Sequence, residues 1–443
     1  MSQEINTSLW AKAITTPQFP TLSNDAQCDV AIVGGGFSGL WLAFHLLQID
    51  SSLSISIFEA RHIGFGASGR NGGWVSADYP VFKESLIKRH GESKTAALNK
   101  AMKESIDEIG NFARQNAKGA HFIKGGSLIF ARNSAQASRL QSYIDSDHQW
   151  LTASEVKSKI NVAGAFGAIF TPHCAAIDPM GLLQGIAGYL REAGVLIYEN
   201  SPVGKISNGQ IQVLKYRVSA PKIITATEAF RAPSRNQIPL YSLMVATQPL
   251  SDSIWNEIGN QGRATFAEGK HLVNYAQRTA DNRLAIGGRG ARYPFKSKRH
   301  SAFEHFKKVH SGLRDLARSW FPILQDTTFT HAWGGAIAIT RDWEPFVRWD
   351  KSQGYGELGG YAGDGVTMSY LASKTLAGQI MEVTSDLTGL HFLSHQSKKW
   401  EVEPIRYAAV NALVKLSNLC DGEEAITGRA SLINKVITPL VSR

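Results

Sequence analysis

The chain is poor in cysteine. Cys28, Cys174 and Cys420 are its only thiols in 443 residues, and no two have CxxC spacing. An odd, scattered set excludes a disulfide framework and a cysteine-ligated zinc site, and it fits a reducing cytoplasm. Long apolar runs are lacking too. Glycine or charge breaks each one well short of membrane-spanning length, so no span is expected. The opening "MSQEINTSLWAKAITTPQFP" has neither a basic region nor an apolar core, so no secretory leader is expected. Repeats and low-complexity segments are missing, which excludes a repeat architecture. Acidic residues are the minority: Asp+Glu 37 against Lys+Arg 47 gives a net charge of +10. That excess is spread out, densest at "KSKRH" (296–300). No basic stripe interleaved with aromatics emerges, so nucleic acid is not the favoured partner.

What is abundant is buried-strand and helix patterning. "CDVAIV" (28–33) is a β-branched run of the kind buried on both faces of a parallel sheet. A glycine turn follows, then the helix-period "LWLAFHLLQI", then the strand "SISIFEA": one βαβ unit. Residues 94–117 read as an amphipathic helix. Asp178 is placed to cap a helix with Pro179 at its first position. From about 238 to 332 the pattern changes to separated strands, "YSLMVATQPL", "HLVNYAQ", "RLAIGGRG" and "TFTHAWGG", which suit an antiparallel sheet. The α/β style returns near 354–382. The expected fold class is therefore α/β: a discontinuous Rossmann-like domain with an inserted antiparallel-sheet substrate domain. Its expected pieces are 26–90, 151–236 and 331–385. The insert takes 91–150 and 237–330, and a helical, amphipathic tail takes 386–443.

"GGGFSG" supplies Gly34-x-Gly36-x-x-Gly39 between strand and helix. The first glycine makes the tight turn, the second admits a pyrophosphate and the third lets helix and strand pack closely. The helix starting near Phe37 and Ser38 points free N–H groups at the phosphates. Glu59 ends the second strand, twenty residues past Gly39, where a carboxylate can hold an adenosine ribose. A second glycine-rich stretch, "GFGASGRNGGW" (64–74), has no helical or strand period. Such backbone freedom is useful where a ligand must approach the main chain closely.

Together, "DVAIVGGGFSGL", "IFEA" and "GFGASGRNGG" resemble the D-amino-acid-oxidase-like family of FAD-dependent amine and amino-acid oxidoreductases. "SPVGKI", "ITATEAF" and "GYAGDGVTMS" extend the resemblance from about 28 to 382. The γ-glutamylputrescine-oxidase-like and aminophosphonate-oxidase-like members are the most similar in pattern. The resemblance implies that Glu59, Ala60 and Arg61 lie by the ribose and adenine, and that Ala67 and Ser68 meet the pyrophosphate. It implies that Arg70, Asn71, Gly72 and Gly73 run beside the isoalloxazine, and that Val203 contacts the adenine end by its backbone. Gly363, Asp364, Gly365, Val366 and Thr367 would aim a helix N-terminus at the flavin edge that gains charge on reduction.

The substrate side departs from one branch. Two lysines and a flavin-tethering cysteine of sarcosine-oxidase-like relatives are absent; Ala285 and Thr367 fall at the lysine positions. Non-covalent FAD is expected, with oxygen or another acceptor left open. The expected reaction is hydride transfer from a CH–NH bond of an amine, amino acid or aminophosphonate to flavin N5. Arg341 is the expected anion anchor, with Arg289 and Arg292 as alternatives. Trp333, Tyr361 and Trp74 are candidate aromatic walls. Two rival readings come from other branches of the family: a tRNA-modifying enzyme, and a flavin-containing assembly factor with little turnover.

Overall fold

The computed structural model describes residues 5–11, 18–393 and 395–437. A six-stranded sheet runs in the order Phe346–Asp350, Tyr355–Gly359, Lys222–Thr225, Val30–Val33, Ile55–Phe58, Leu196–Tyr198. It is parallel except at its antiparallel edge strand, Phe346–Asp350. The apolar run at its centre is explained by its two faces. Val30 and Ile32 join the main helical core, whereas Ala31 and Val33 join a second core under a four-stranded sheet. Burial on both sides removes any need for polar alternation.

The helix Phe37–Ile49 packs against Gly365–Ile380 and Pro179–Glu192. A Cβ on Gly39 would lie 2.0 Å from the Gly34 carbonyl oxygen, so this helix can approach its strand only with glycine there. Asp178 caps Pro179–Glu192, accepting from the N–H groups of Met180 and Gly181. Glu92–Asn116 also packs here, because its stripe of Leu98, Met102, Ile106 and Ile109 belongs to the main helical core. The sequence-based boundaries had put that helix in the insert.

An eight-stranded sheet forms the second layer. Its order is Phe329–Thr340, Gln237–Thr247, Leu284–Gly288, Asn274–Arg278, Thr265–Glu268, Ser127–Ala131, Gly167–Thr171, Gln149–Thr152. All pairs are antiparallel except Thr265–Glu268 with Ser127–Ala131. The sheet continues past the expected boundaries at 150 and 330, since Gly167–Thr171 and all of Phe329–Thr340 pair within it. Its apolar face is covered by Lys307–Trp320, through Leu313, Ala317 and Trp320, and by Trp255 and Ile258. The tail forms the helix Ile405–Thr427. It is fastened by buried Glu424, which takes ion pairs from Arg139 and His271. Among the described residues, no helix is long and apolar enough to cross a membrane.

Candidate active site

The glycine turns bring the starts of two helices close to the loop 64–74, which lines a cavity. Neither Gly36, before Phe37–Ile49, nor Asp364, before Gly365–Ile380, accepts from its first turn through a side chain. Both first turns thus leave backbone N–H groups for an anion. Gly34 stands at φ +114°, and its N–H donates to the Phe58 carbonyl at 2.9 Å. Ser68 Oγ accepts from Phe37 N at 3.0 Å, tying the loop 64–74 to the first helix. Ser38 Oγ and Tyr361 OH are 2.8 Å apart, joining the two helix starts.

Glu59 directly follows the strand Ile55–Phe58. Its carboxylate accepts from Gly35 N at 2.8 Å and from Arg61 N at 2.9 Å. Burial raises its pKa against the pull of these donors. Ala60 and Arg61 are exposed beside it, and Val203 opens a strand paired to Val213. A second carboxylate escaped the sequence reading. Glu199 is buried and accepts from Ile63 N at 2.7 Å and Gln18 N at 2.8 Å.

A cavity of about 320 Å³ opens between the loop, the large sheet and the second helix start. Ala67, Arg70, Asn71 and Gly72 form one wall, and Gly363, Asp364 and Val366 another. Trp74, Tyr275 and Trp343 supply aromatic faces, and Arg289 supplies a cation. Two features near this edge bear on its fit to a flavin dinucleotide. Gly72 keeps the loop backbone bare where the Tyr275 ring packs on it, since a Cβ there would lie 2.5 Å from that ring. Thr367 Oγ1, in the first turn of Gly365–Ile380, is buried with no hydrogen-bond partner among the described residues. A buried hydroxyl left so is costly unless a ligand satisfies it. Gly73 lies behind the wall, its N–H on Asn71 Oδ1 at 2.7 Å.

The expected substrate residues are redistributed. Arg341 does not line the cavity. Its Nε bonds Glu401 at 3.0 Å and its guanidinium lies 5.2 Å from the Trp400 ring. The tail covers that end of the strand Phe329–Thr340, so the side chain meets the tail instead. Trp333 is 1% exposed, in the core, with its indole N–H on the Arg70 carbonyl at 3.0 Å. Tyr361 is likewise buried, and Arg292 is exposed away from the cavity. Arg289 holds the position instead. Its Nη2 donates to the Ala362 carbonyl at 2.6 Å, and its guanidinium lies 5.1 Å from the Trp343 ring. Burial lowers its pKa from a very high ordinary value, opposed by Asp364, so it stays a cation.

Trp343 was missed because its conformation is set from outside. It has φ +69°, a left-handed backbone at a bulky residue. Its neighbours are clamped. Asp342 accepts from His395 at 2.9 Å and Ser397 at 2.6 Å. Buried Glu344 pairs with Arg89 and His90 at 2.8 Å and with His391 at 3.1 Å. Burial pushes the Glu344 carboxyl up, but His391, Arg89 and His90 outweigh it and hold it at about 2. The cluster has a metal-like composition but not a metal-like geometry. The His90 and His391 rings are stacked at 4.1 Å and 7°, so their in-plane lone pairs run parallel rather than converging, and Arg89 occupies the carboxylate.

A family model described as FAD dependent oxidoreductase matches residues 29–379. Gamma-glutamylputrescine oxidoreductase of Escherichia coli (strain K12) is 27% identical over 397 residues, covering 85% of this chain and 89% of that protein. Among solved structures, glycine oxidase from Geobacillus kaustophilus superposes with a TM-score of 0.69 at 20% identity, covering 84% of this chain and 99% of that one. L-proline dehydrogenase from P. horikoshii superposes with a TM-score of 0.66 at 18% identity, covering 83% and 96%.

Proposed function

This chain belongs to the FAD-dependent oxidoreductase family, and we propose that it oxidises the CH–NH bond of a small amine or amino acid that carries an anionic group. One observation carries the anionic group: Arg289 lines the cavity beside the aromatic walls and the second helix start, while the cavity's other guanidinium, Arg70, is paired with Glu304. The names of the relatives support an amine or amino acid as the oxidised partner. Bound FAD supplies the two-electron acceptor for a hydride leaving the carbon next to nitrogen. Its phosphates fit the first turn of Phe37–Ile49 with Ser68, its ribose fits Glu59, and its ring fits the wall of Arg70, Asn71 and Gly72.

The chain's own part is binding and orientation. Arg289 grips a carboxylate or phosphonate through its remaining N–H groups and so fixes the far end of the substrate. Trp74, Tyr275 and Trp343 exclude water, which favours the neutral amine from which hydride leaves. The cysteines are buried, and none of them lines the cavity, which supports non-covalent FAD. The RNA reading gains little at the cavity, where Arg70 is engaged by Glu304 at 2.8 Å.

The test is anaerobic mixing of the yellow protein with amines, amino acids and aminophosphonates. Bleaching by an anionic member is expected, and readmitted air separates oxidase from dehydrogenase. Arg289→Leu should raise KM for that substrate about 100-fold, the scale of a lost charge-assisted contact, with a smaller change in kcat. An unbleached flavin across the panel overturns the proposal.

A further inference from the structure

The loop beside the ring site is held from behind at every step. The Ala67 and Ser68 carbonyls accept from Asn71 Nδ2 at 3.2 and 2.6 Å. The Gly69 carbonyl accepts from Ser8 Oγ at 2.9 Å, and that of Arg70 from Trp333 Nε1 at 3.0 Å. The Asn71 carbonyl accepts from Trp10 Nε1 at 2.8 Å, that of Gly72 from Gln277 Nε2 at 2.6 Å, and that of Gly73 from Ile177 N at 2.8 Å. Two of these donors, Ser8 and Trp10, precede the stretch that the family model matches. Their segment is itself anchored. Ile5 exchanges backbone bonds with Thr330 and Ala332 at 2.9 and 3.1 Å. The Trp10 ring, 4% exposed, meets the Trp333 ring edge-on at 6.4 Å.

We infer that residues 5–11 are a positioning strap for the flavin-facing loop, with Trp10 as its key donor. The reason is peptide geometry. A trans peptide puts N–H opposite C=O, so binding the Arg70 and Asn71 carbonyls to the two indoles turns the N–H groups of Asn71 and Gly72 the other way. That other side is the cavity that Arg70, Asn71 and Gly72 line. N–H groups preset in this way stabilise charge that develops on a bound ring without reorganising. The strap rests on FAD occupying that cavity, and not on which amine is oxidised.

Trp10→Phe keeps a ring against Trp333 and deletes the donor. In the holoenzyme, amide hydrogen exchange at 70–73 is expected to speed at least tenfold, with the central strand Val30–Val33 unchanged. The flavin potential is expected to fall. A tenfold weaker preference for the reduced form is about 30 mV for a two-electron couple. Exchange and potential that both match wild type overturn the strap, as does a uniform rise in exchange across the whole chain. Should Trp10→Phe fail to fold, Ser8→Ala removes a single hydroxyl from the Gly69 carbonyl and is read by the same local exchange. A wild-type chain that takes up no FAD overturns the cofactor premise, which sets that failure apart from failure of the strap.

Discussion

Thr367 concentrates the residue-scale physics of this site. Its hydroxyl is buried and unpartnered among the described residues, at the start of the helix Gly365–Ile380. In the apoprotein that hydroxyl lowers stability, by ~1–3 kcal/mol on the usual scale for an unsatisfied buried group. Thr367→Val should therefore raise the melting temperature of the apoprotein. The same change should weaken FAD binding about tenfold, because a hydrogen bond to the cofactor is lost. Thermal melts with and without FAD separate the two effects, and a variant that is neutral in both melts rules out this role. Gly72 makes the converse point. A methyl there collides with the Tyr275 ring, whose hydroxyl is held by Ser242 at 2.8 Å and so cannot simply swing aside.

At the scale of an element, the short turn 341–345 does the most with the fewest residues. It presents Trp343 to the cavity in a conformation that costs ~1–3 kcal/mol. The flanking acids offset this by reaching backwards: Asp342 to His395 and Ser397, Glu344 to Arg89, His90 and His391. Removing Glu344 leaves the Arg89 guanidinium facing a buried gap. Glu344→Ala should destabilise the protein by ~3 kcal/mol, the range for breaking a buried ion pair. It should also raise KM more than it lowers kcat, because Trp343 is a wall and not a reacting group. Denaturant unfolding and steady-state kinetics check the two halves. Unchanged unfolding would show that the clamp is ornamental.

For the whole molecule, buried Glu344 and half-buried His395 and Glu228 each contribute to the pH dependence of folding. Glu344 is depressed to about 2, so its contribution is complete above the ordinary carboxylate range and is lost as pH falls through about 2. His395 runs the other way. Burial lowers its pKa, but Asp342 and Glu344 raise it above its ordinary 6.5; its contribution is complete below 6.5 and is lost as pH rises through the raised value. Glu228 is pushed up to about 7 by burial, against backbone donors from Gly360 and Tyr361. It therefore favours folding below its ordinary 4.5 and loses that contribution as pH climbs to about 7. Glu228 and His395 lower the melting temperature as pH rises from about 5 to 8, opposed below 6.5 by buried His45, whose pKa burial lowers to about 3. Glu228→Gln should flatten the part below about pH 7, and His395→Gln the part above it. A wild-type profile that rises between about pH 6.5 and 8 contradicts the Glu228 and His395 assignments.

The nucleotide half was legible in the sequence because its demands are local. Strand, glycine turn, helix and acidic strand end are neighbours in the chain, and Gly34, Gly36, Gly39 and Glu59 answer to geometry within one βαβ unit. The same holds for Asp178 at its cap and for the unbroken apolar strand Val30–Val33. The substrate wall was not legible. Arg289 and Arg341 each follow a strand of the large sheet, yet only the packed tail, with Glu401 and Trp400, decides which guanidinium reaches the cavity. Trp343 owes its place to histidines far along the chain. Trp10 bonds a carbonyl 61 residues away. Backbone conformation is dictated by adjacent residues; the direction in which a long side chain finally points is dictated by whatever else fills the space around it, and that is known only once the chain has folded.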